Sequence, residues 1–296
     1  MSVSPPGGLR RLVGHRHLRA QRAVLRGLGE PIPARFLALR LLDRTFDLLS
    51  YPQKLRWRTI DWPQYGYPLL QAALLARTLG RPRIAAIEFG VAGGNGLLAL
   101  ERHAERVAAE TGIEVTTYGF DAGTGLPPPV DHRDAPYLFQ AGYFPMDVDA
   151  LRGRLKSAKL VLGPVEETVP AFCAAEEPPP IGFIAFDLDY YSSTRAALRI
   201  FDAAGRHFLP RVACYFDDVL GDVYAAHSEF AGELLAIKEF NAAHAHIKIA
   251  PVRGIRFAGS RLPEAWHDKI FVAHLFGHAD YGRPVHDITR MPLTAR

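Results

Sequence analysis

Ile87-Glu88-Phe89-Gly90-Val91-Ala92-Gly93-Gly94-Asn95-Gly96 is the stretch on which the fold turns. An apolar run over 84–89 ends in it, and an amphipathic run over 96–110 starts from it. Its glycines let the main chain turn tightly and approach a ligand without interference from a Cβ. It reads as a strand-to-helix junction. In a doubly wound sheet, ligands lie in the crevice outside the carboxyl ends of the strands.

Working outward, the same alternation repeats. Short apolar runs predict strands over 84–89, 115–120, 160–162, 181–186 and 212–216, with helices over 96–110, 147–156, 167–175 and 191–205 between them. Such βα repetition implies a parallel sheet with helices on both faces. A helix over 229–243 then leads to strands over 246–249 and 269–276. Their short linker contains Gly254, Gly259 and Pro263 and suggests an antiparallel pair. The expectation is a Rossmann-like α/β fold with a seven-stranded, mostly parallel sheet and an antiparallel last strand.

Ahead of the junction the character differs. Helices are expected over 18–29, 34–49 and 68–79. Pro52 is read as closing the second, and the aromatics Trp57, Trp62, Tyr65 and Tyr67 precede the third. The expected division is therefore a basic leader and helical extension over 1–80 and a ligand-binding core over 81–296. Residues 1–30 contain six Arg and one Glu, so the chain's net charge of +4 lies in the leader and the rest is close to neutral. The leader lacks interleaved aromatics and any nucleic-acid motif, and we expect no nucleic-acid partner. Arg10-Arg11 invites a twin-arginine reading, but no apolar signal core follows. No apolar run reaches the roughly 18 residues of a membrane span. A cytoplasmic protein is expected. Cys173 and Cys214 lack metal-ligand spacing and read as buried thiols.

Two ligand classes fit the glycine stretch. Gly94-Asn95-Gly96-Leu97-Leu98-Ala99 formally satisfies the dinucleotide pattern G-x-G-x-x-A. However, Gly94 comes five residues after Phe89, later than a pyrophosphate turn requires. Glu88 also puts a carboxylate near where the pyrophosphate would lie. A carboxylate suits the sulfonium and ammonium of S-adenosylmethionine better than it suits a dianion. Glu88, Gly90, Val91, Ala92, Gly94 and Asn95 are the candidate donor contacts. Asp121, closing Tyr118-Gly119-Phe120-Asp121, is placed to accept ribose hydroxyls.

The fourth and fifth strands end in acid, as Phe186-Asp187-Leu188-Asp189 and Phe216-Asp217-Asp218. Adjacent strands lie about 4.8 Å apart, so these carboxylates converge on one edge. An oxygen-only set suits Mg²⁺ or another hard cation, with Asp187, Asp217 and Asp218 as ligands. The plainer reading is that some of them cap helices, Asp189 above all. Asp187, Asp189 and, from a flexible acceptor loop, His227 or His132 are candidate proton acceptors. The pairs His244/His246 and His274/His278 have ligand-like spacing but no third partner.

Taken in order, Glu88-Phe89-Gly90-Val91, Gly119-Phe120-Asp121 with Gly125-Leu126-Pro127, Asp187-Leu188-Asp189-Tyr190 with Ser193-Thr194, and Asp217-Asp218 resemble the macrocin O-methyltransferase family of class I S-adenosylmethionine-dependent enzymes. The likeness runs over about 65–245. It implies Mg²⁺-dependent methylation of sugar hydroxyls, Glu88 and Asp121 on the donor, and Asp187, Asp217 and Asp218 on the metal. The segment 163–170 resembles the family's adenine-side segment, which adds Gly163 and Glu166 to the donor contacts. Val219 stands where that family has an aromatic, and 220–230 is longer than its counterpart. The acceptor is expected to be a small-molecule hydroxyl, as in a vicinal diol or a glycosylated natural product. The aromatic stretch over 57–67 and the loop over 123–143 are candidate acceptor walls. A homo-oligomer is left open. The competing readings are a nicotinamide-dependent oxidoreductase and a non-catalytic binding protein.

Overall fold

The computed structural model describes residues 34–258, 262 and 264–285. The Arg-rich leader and the helix expected over 18–29 lie outside the described residues. The chain separates into two compact units between Leu48 and Leu49. The described part of the first holds one helix, α1 (Ala34–Phe46), ended by Asp47 in the left-handed conformation at φ 50°.

The second unit contains α2 (Tyr51–Trp57), α3 (Pro63–Thr78), β1 (Arg83–Phe89), α4 (Asn95–Thr111), β2 (Glu114–Asp121), α5 (Val148–Arg152), β3 (Lys159–Leu162), α6 (Val165–Glu176), β4 (Ile181–Phe186), α7 (Tyr191–Leu198), β5 (Phe208–Phe216), α8 (Gly232–Ala243), β6 (Ile247–Pro251), α9 (Ile255–Ala258) and β7 (Ile270–Leu275). The strand order is β3-β2-β1-β4-β5-β7-β6, and β7 is antiparallel to both neighbours. This is the expected Rossmann-like sheet with its antiparallel last strand.

Three differences have local causes. Pro52 opens a helix rather than closing one, because a missing N–H costs nothing in a first turn; the Ser50 N–H donates to Gln53 Oε1 at 3.0 Å to cap it. Pro63 opens α3 in the same way, so this helix begins inside the aromatic stretch and carries Pro68 internally. The helix expected over 191–205 stops at Leu198 and continues as 3₁₀ turns. α3 packs on β1, β4, β5 and α4, and residues from Leu49 onward cluster with the sheet.

β4, Ile-Gly-Phe-Ile-Ala-Phe, is buried throughout, as a central parallel strand must be with both faces covered. Alternation divides β1 between two cores. Ala85, Ile87 and Phe89 face one core, and Ile84 and Ala86 the other. On the first face, register aligns the strand ends: Phe89 pairs with Phe120 and Phe186, and Phe186 with Phe216. Their rings form a continuous row, with centroids 4.7, 5.4 and 4.5 Å apart. The residue after each ring, namely Gly90, Asp121, Asp187 and Asp217, is thereby brought to one rim.

Candidate functional site

A cavity of about 690 Å³ opens above this rim. Gly90, Ala92, Asp121, Gly163, Glu166, Asp187, Asp189 and Asp217 line it, eight residues singled out from sequence. Its other walls come from the β2–α5 loop, through Thr124, Gly125, Leu126, Pro127, Tyr143 and Phe144. That loop was expected as an acceptor wall. The aromatic stretch over 57–67 was too, but it does not reach the cavity: Tyr65 is fully buried and Trp62 packs edge-on against it.

Gly90 is required by geometry. Its φ is +85°, and a Cβ there would come within 1.7 Å of the Asp187 backbone oxygen. The turn after β1 therefore lies directly on the turn after β4. Asp121 holds the first turn from the other side. Its Oδ2 accepts the N–H groups of Val91 (3.0 Å) and Ala92 (2.8 Å), and its Oδ1 accepts that of Gly123 (2.6 Å).

Glu88, Val91, Gly94 and Asn95 do not line the cavity. Glu88 is 1% exposed and points to the opposite face of the sheet, where Tyr65 donates to its Oε1 at 2.7 Å. Burial, with Asp121 nearby, pushes its carboxyl up to about 8 despite the Tyr65 hydrogen bond. A Cβ on Gly96 would fall 1.8 Å from Glu88 Oε1, and one on Gly94 would fall 2.2 Å from the Leu151 side chain. Both glycines of the formal dinucleotide pattern are thus taken up by packing within the chain.

Asp187, Asp217 and Asp218 each offer an oxygen, all within 4.8 Å of one another. Burial and the neighbouring carboxylates hold Asp187 well above the usual carboxylate range; burial and Asp217 push Asp218 up to about 6. Asp189, left-handed at φ 60°, is raised to about 7 by burial and by Asp218 and Asp217. It does not cap α7. The buried Asp134 does so, accepting the N–H (2.8 Å) and hydroxyl (3.0 Å) of Ser192.

Sequence reasoning passed over two partners of this cluster. Glu233, in the first turn of α8, is completely buried and accepts the Asp218 N–H at 2.9 Å. Lys269 donates to Asp217 Oδ1 at 2.9 Å. Neither carries a motif, and only the folded topology brings them to the rim. His227 is half-buried within electrostatic range of Lys269 and Asp217 but does not line the cavity, and His132 is exposed on the surface.

The donor set fits a hard divalent cation. It is all oxygen and close-set, and like-charge crowding with burial raises Asp187 and Asp218 above the usual carboxylate range. Among the described residues no helix is long and apolar enough to cross a membrane.

No protein-family model and no curated protein sequence matches this chain. Solved structures with a related architecture include the calicheamicin methyltransferase CalS11, at 22% identity and TM-score 0.48 over 94% of this chain and 100% of that one. The O-methyltransferase NovP is 16% identical with TM-score 0.44, over 61% and 72%. TomG from Streptomyces achromogenes, involved in tomaymycin synthesis and solved with SAM, is 15% identical with TM-score 0.39, over 82% and 90%. Likeness at this level leaves the chemistry to be read from this chain's own residues.

Proposed function

We propose that the chain is an S-adenosylmethionine-dependent O-methyltransferase of the macrocin type, assisted by Mg²⁺ or a similar cation. Its acceptor would be a hydroxyl of a small molecule or glycosylated natural product, a vicinal diol in particular. The observation that carries this reading is the acidic rim around the cavity, in which Asp121, Asp187, Asp189 and Asp217 meet the turn at Gly90. An acidic cavity suits a cationic donor. A dinucleotide would need glycines facing its pyrophosphate, and here Gly94 and Gly96 face Leu151 and Glu88.

Asp121 fixes the turn over 90–92 through its hydrogen bonds and, with three of about four lone-pair sites filled, has capacity left for a ribose hydroxyl. Gly163 and Glu166 would flank the adenine end. Asp187, Asp217 and Asp218 would hold the cation, which supplies the positive charge that acidifies a bound hydroxyl. Asp189 lines the cavity beside Asp187, where its carboxylate can take the acceptor's proton. Holding acceptor oxygen and methyl carbon in line supplies on the order of 7–11 kcal/mol.

Calorimetry with S-adenosylhomocysteine and with NAD⁺, followed by methyl-transfer assays on diols with and without EDTA, tests the reading. We expect micromolar binding of the first ligand, none of the second, and transfer that stops in EDTA. Tight NAD⁺ binding alone would favour the oxidoreductase, and donor binding without transfer to any diol would favour the binding protein.

A further inference from the structure

The topology places a positive charge inside the acidic rim. β1 to β5 all end there, and β7, being antiparallel, begins there. The residue immediately before it is Lys269, whose backbone oxygen accepts the Phe216 N–H at 3.0 Å. This bond fixes the lysine beside the residue pair that follows β5. The side chain is 15% exposed. Its Nζ donates to the Asp217 backbone oxygen at 2.5 Å and to Asp217 Oδ1 at 2.9 Å, and lies 6.0 Å from the centre of the Tyr215 ring. The Tyr215 hydroxyl donates to the same Oδ1. Both side-chain donors on Asp217 therefore converge on one oxygen, and Oδ2 keeps its lone pairs.

The charge balance gives this contact its meaning. Asp187, Asp189, Asp217, Asp218 and Glu233 crowd one end of the sheet, and Glu233 Oε1 is buried with no hydrogen-bond partner. Among the described residues, Lys269 is the cation that the structure pairs with them. Carboxylates this close destabilise one another unless a counter-charge is present.

We propose that Lys269 is the resident counter-ion of the carboxylate cluster, standing in for part of the charge of a divalent cation so that the donor cavity keeps its shape before metal binds. It holds Asp217 by one oxygen and leaves the other, with Asp187 and Asp218, open to the ion. The metal then loads into a preformed site instead of building it. This inference rests on the metal-assisted reading above and assigns a positioning role, since Lys269 acts through Asp217.

The test compares full-length wild type, K269M and K269R in EDTA and in saturating MgCl₂, reading melting temperature and, separately, S-adenosylhomocysteine affinity. We expect K269M to melt about 2–4 °C below wild type in EDTA and to regain that difference in Mg²⁺. K269R, which keeps the charge, should stay close to wild type in both. Affinity for S-adenosylhomocysteine should follow the same pattern, about tenfold weaker for K269M in EDTA alone. The proposal is overturned if K269M matches wild type in EDTA, or if its deficit is equal in both buffers, as a packing role would give. Wild type that binds no S-adenosylhomocysteine defeats the donor reading, while the melting temperatures still decide the role of Lys269.

Discussion

Glu88 shows how a single residue can be read correctly for position and differently for orientation. The sequence puts an acid at the end of the first strand, and an acid is there. Strand parity sends its side chain with Ile84 and Ala86 to the face opposite Phe89, beneath the helix that carries Tyr65. Which face bears the cavity depends on loops far along the chain, and that was not legible locally. Two outcomes follow. Because burial raises the Glu88 carboxyl from an ordinary 4.5 to about 8, its protonated form is favoured by folding, and its contribution to stability is lost as pH climbs through that interval. E88Q, which keeps an acceptor for Tyr65, should match wild type in melting temperature at the acid end of the interval and exceed it at the alkaline end. G96A drives a methyl group into Glu88 Oε1 and should lower stability in urea by about 1–3 kcal/mol. A G96A protein as stable as wild type would show that α4 can slide away from the strand.

At the scale of elements, the repeated Phe-Asp at the ends of β2, β4 and β5 makes the rim readable from the sequence. A buried aromatic at or beside a strand's end turns the next residue to the opposite side, and parallel register then lines those residues up. Helix ends were less legible. Proline marks the first turn of a helix as readily as its end, and Pro52 and Pro63 do the former. The brace on α7 was not legible at all. Asp134 reaches it from 58 positions upstream, accepting from Ser192 and from the Val130 N–H at 2.8 Å. Arg133 beside it stacks 4.6 Å from the centre of the Tyr191 ring, and the Tyr191 hydroxyl donates to Glu239 at 2.6 Å. This clasp ties down the loop that roofs the cavity. D134A leaves the Val130 N–H and the N–H and hydroxyl of Ser192, all part-buried, without their acceptor and should cost about 1–3 kcal/mol, with new protease sensitivity over 125–147; D134N should lose less. Unchanged proteolysis in D134A would mean that the roof is held elsewhere.

For the whole molecule, the metal reading predicts linkage. A cation that binds only the folded chain at a hundred times its dissociation constant adds about 2.7 kcal/mol, so Mg²⁺ should raise the melting temperature of wild type, and D218A should abolish that response. An equal rise in D218A would place the ion away from the triad. The insertion of β7 between β5 and β6 has a further consequence, for biosynthesis. While the ribosome is still making residues 252–275, β5 and β6 have each been completed but have nothing to pair with on their facing edges. Bare edges recruit other strands. A nascent chain stalled in this interval is thus at its most vulnerable to self-association, and arrival of the final strand both closes the sheet and delivers the lysine that quiets its acidic end.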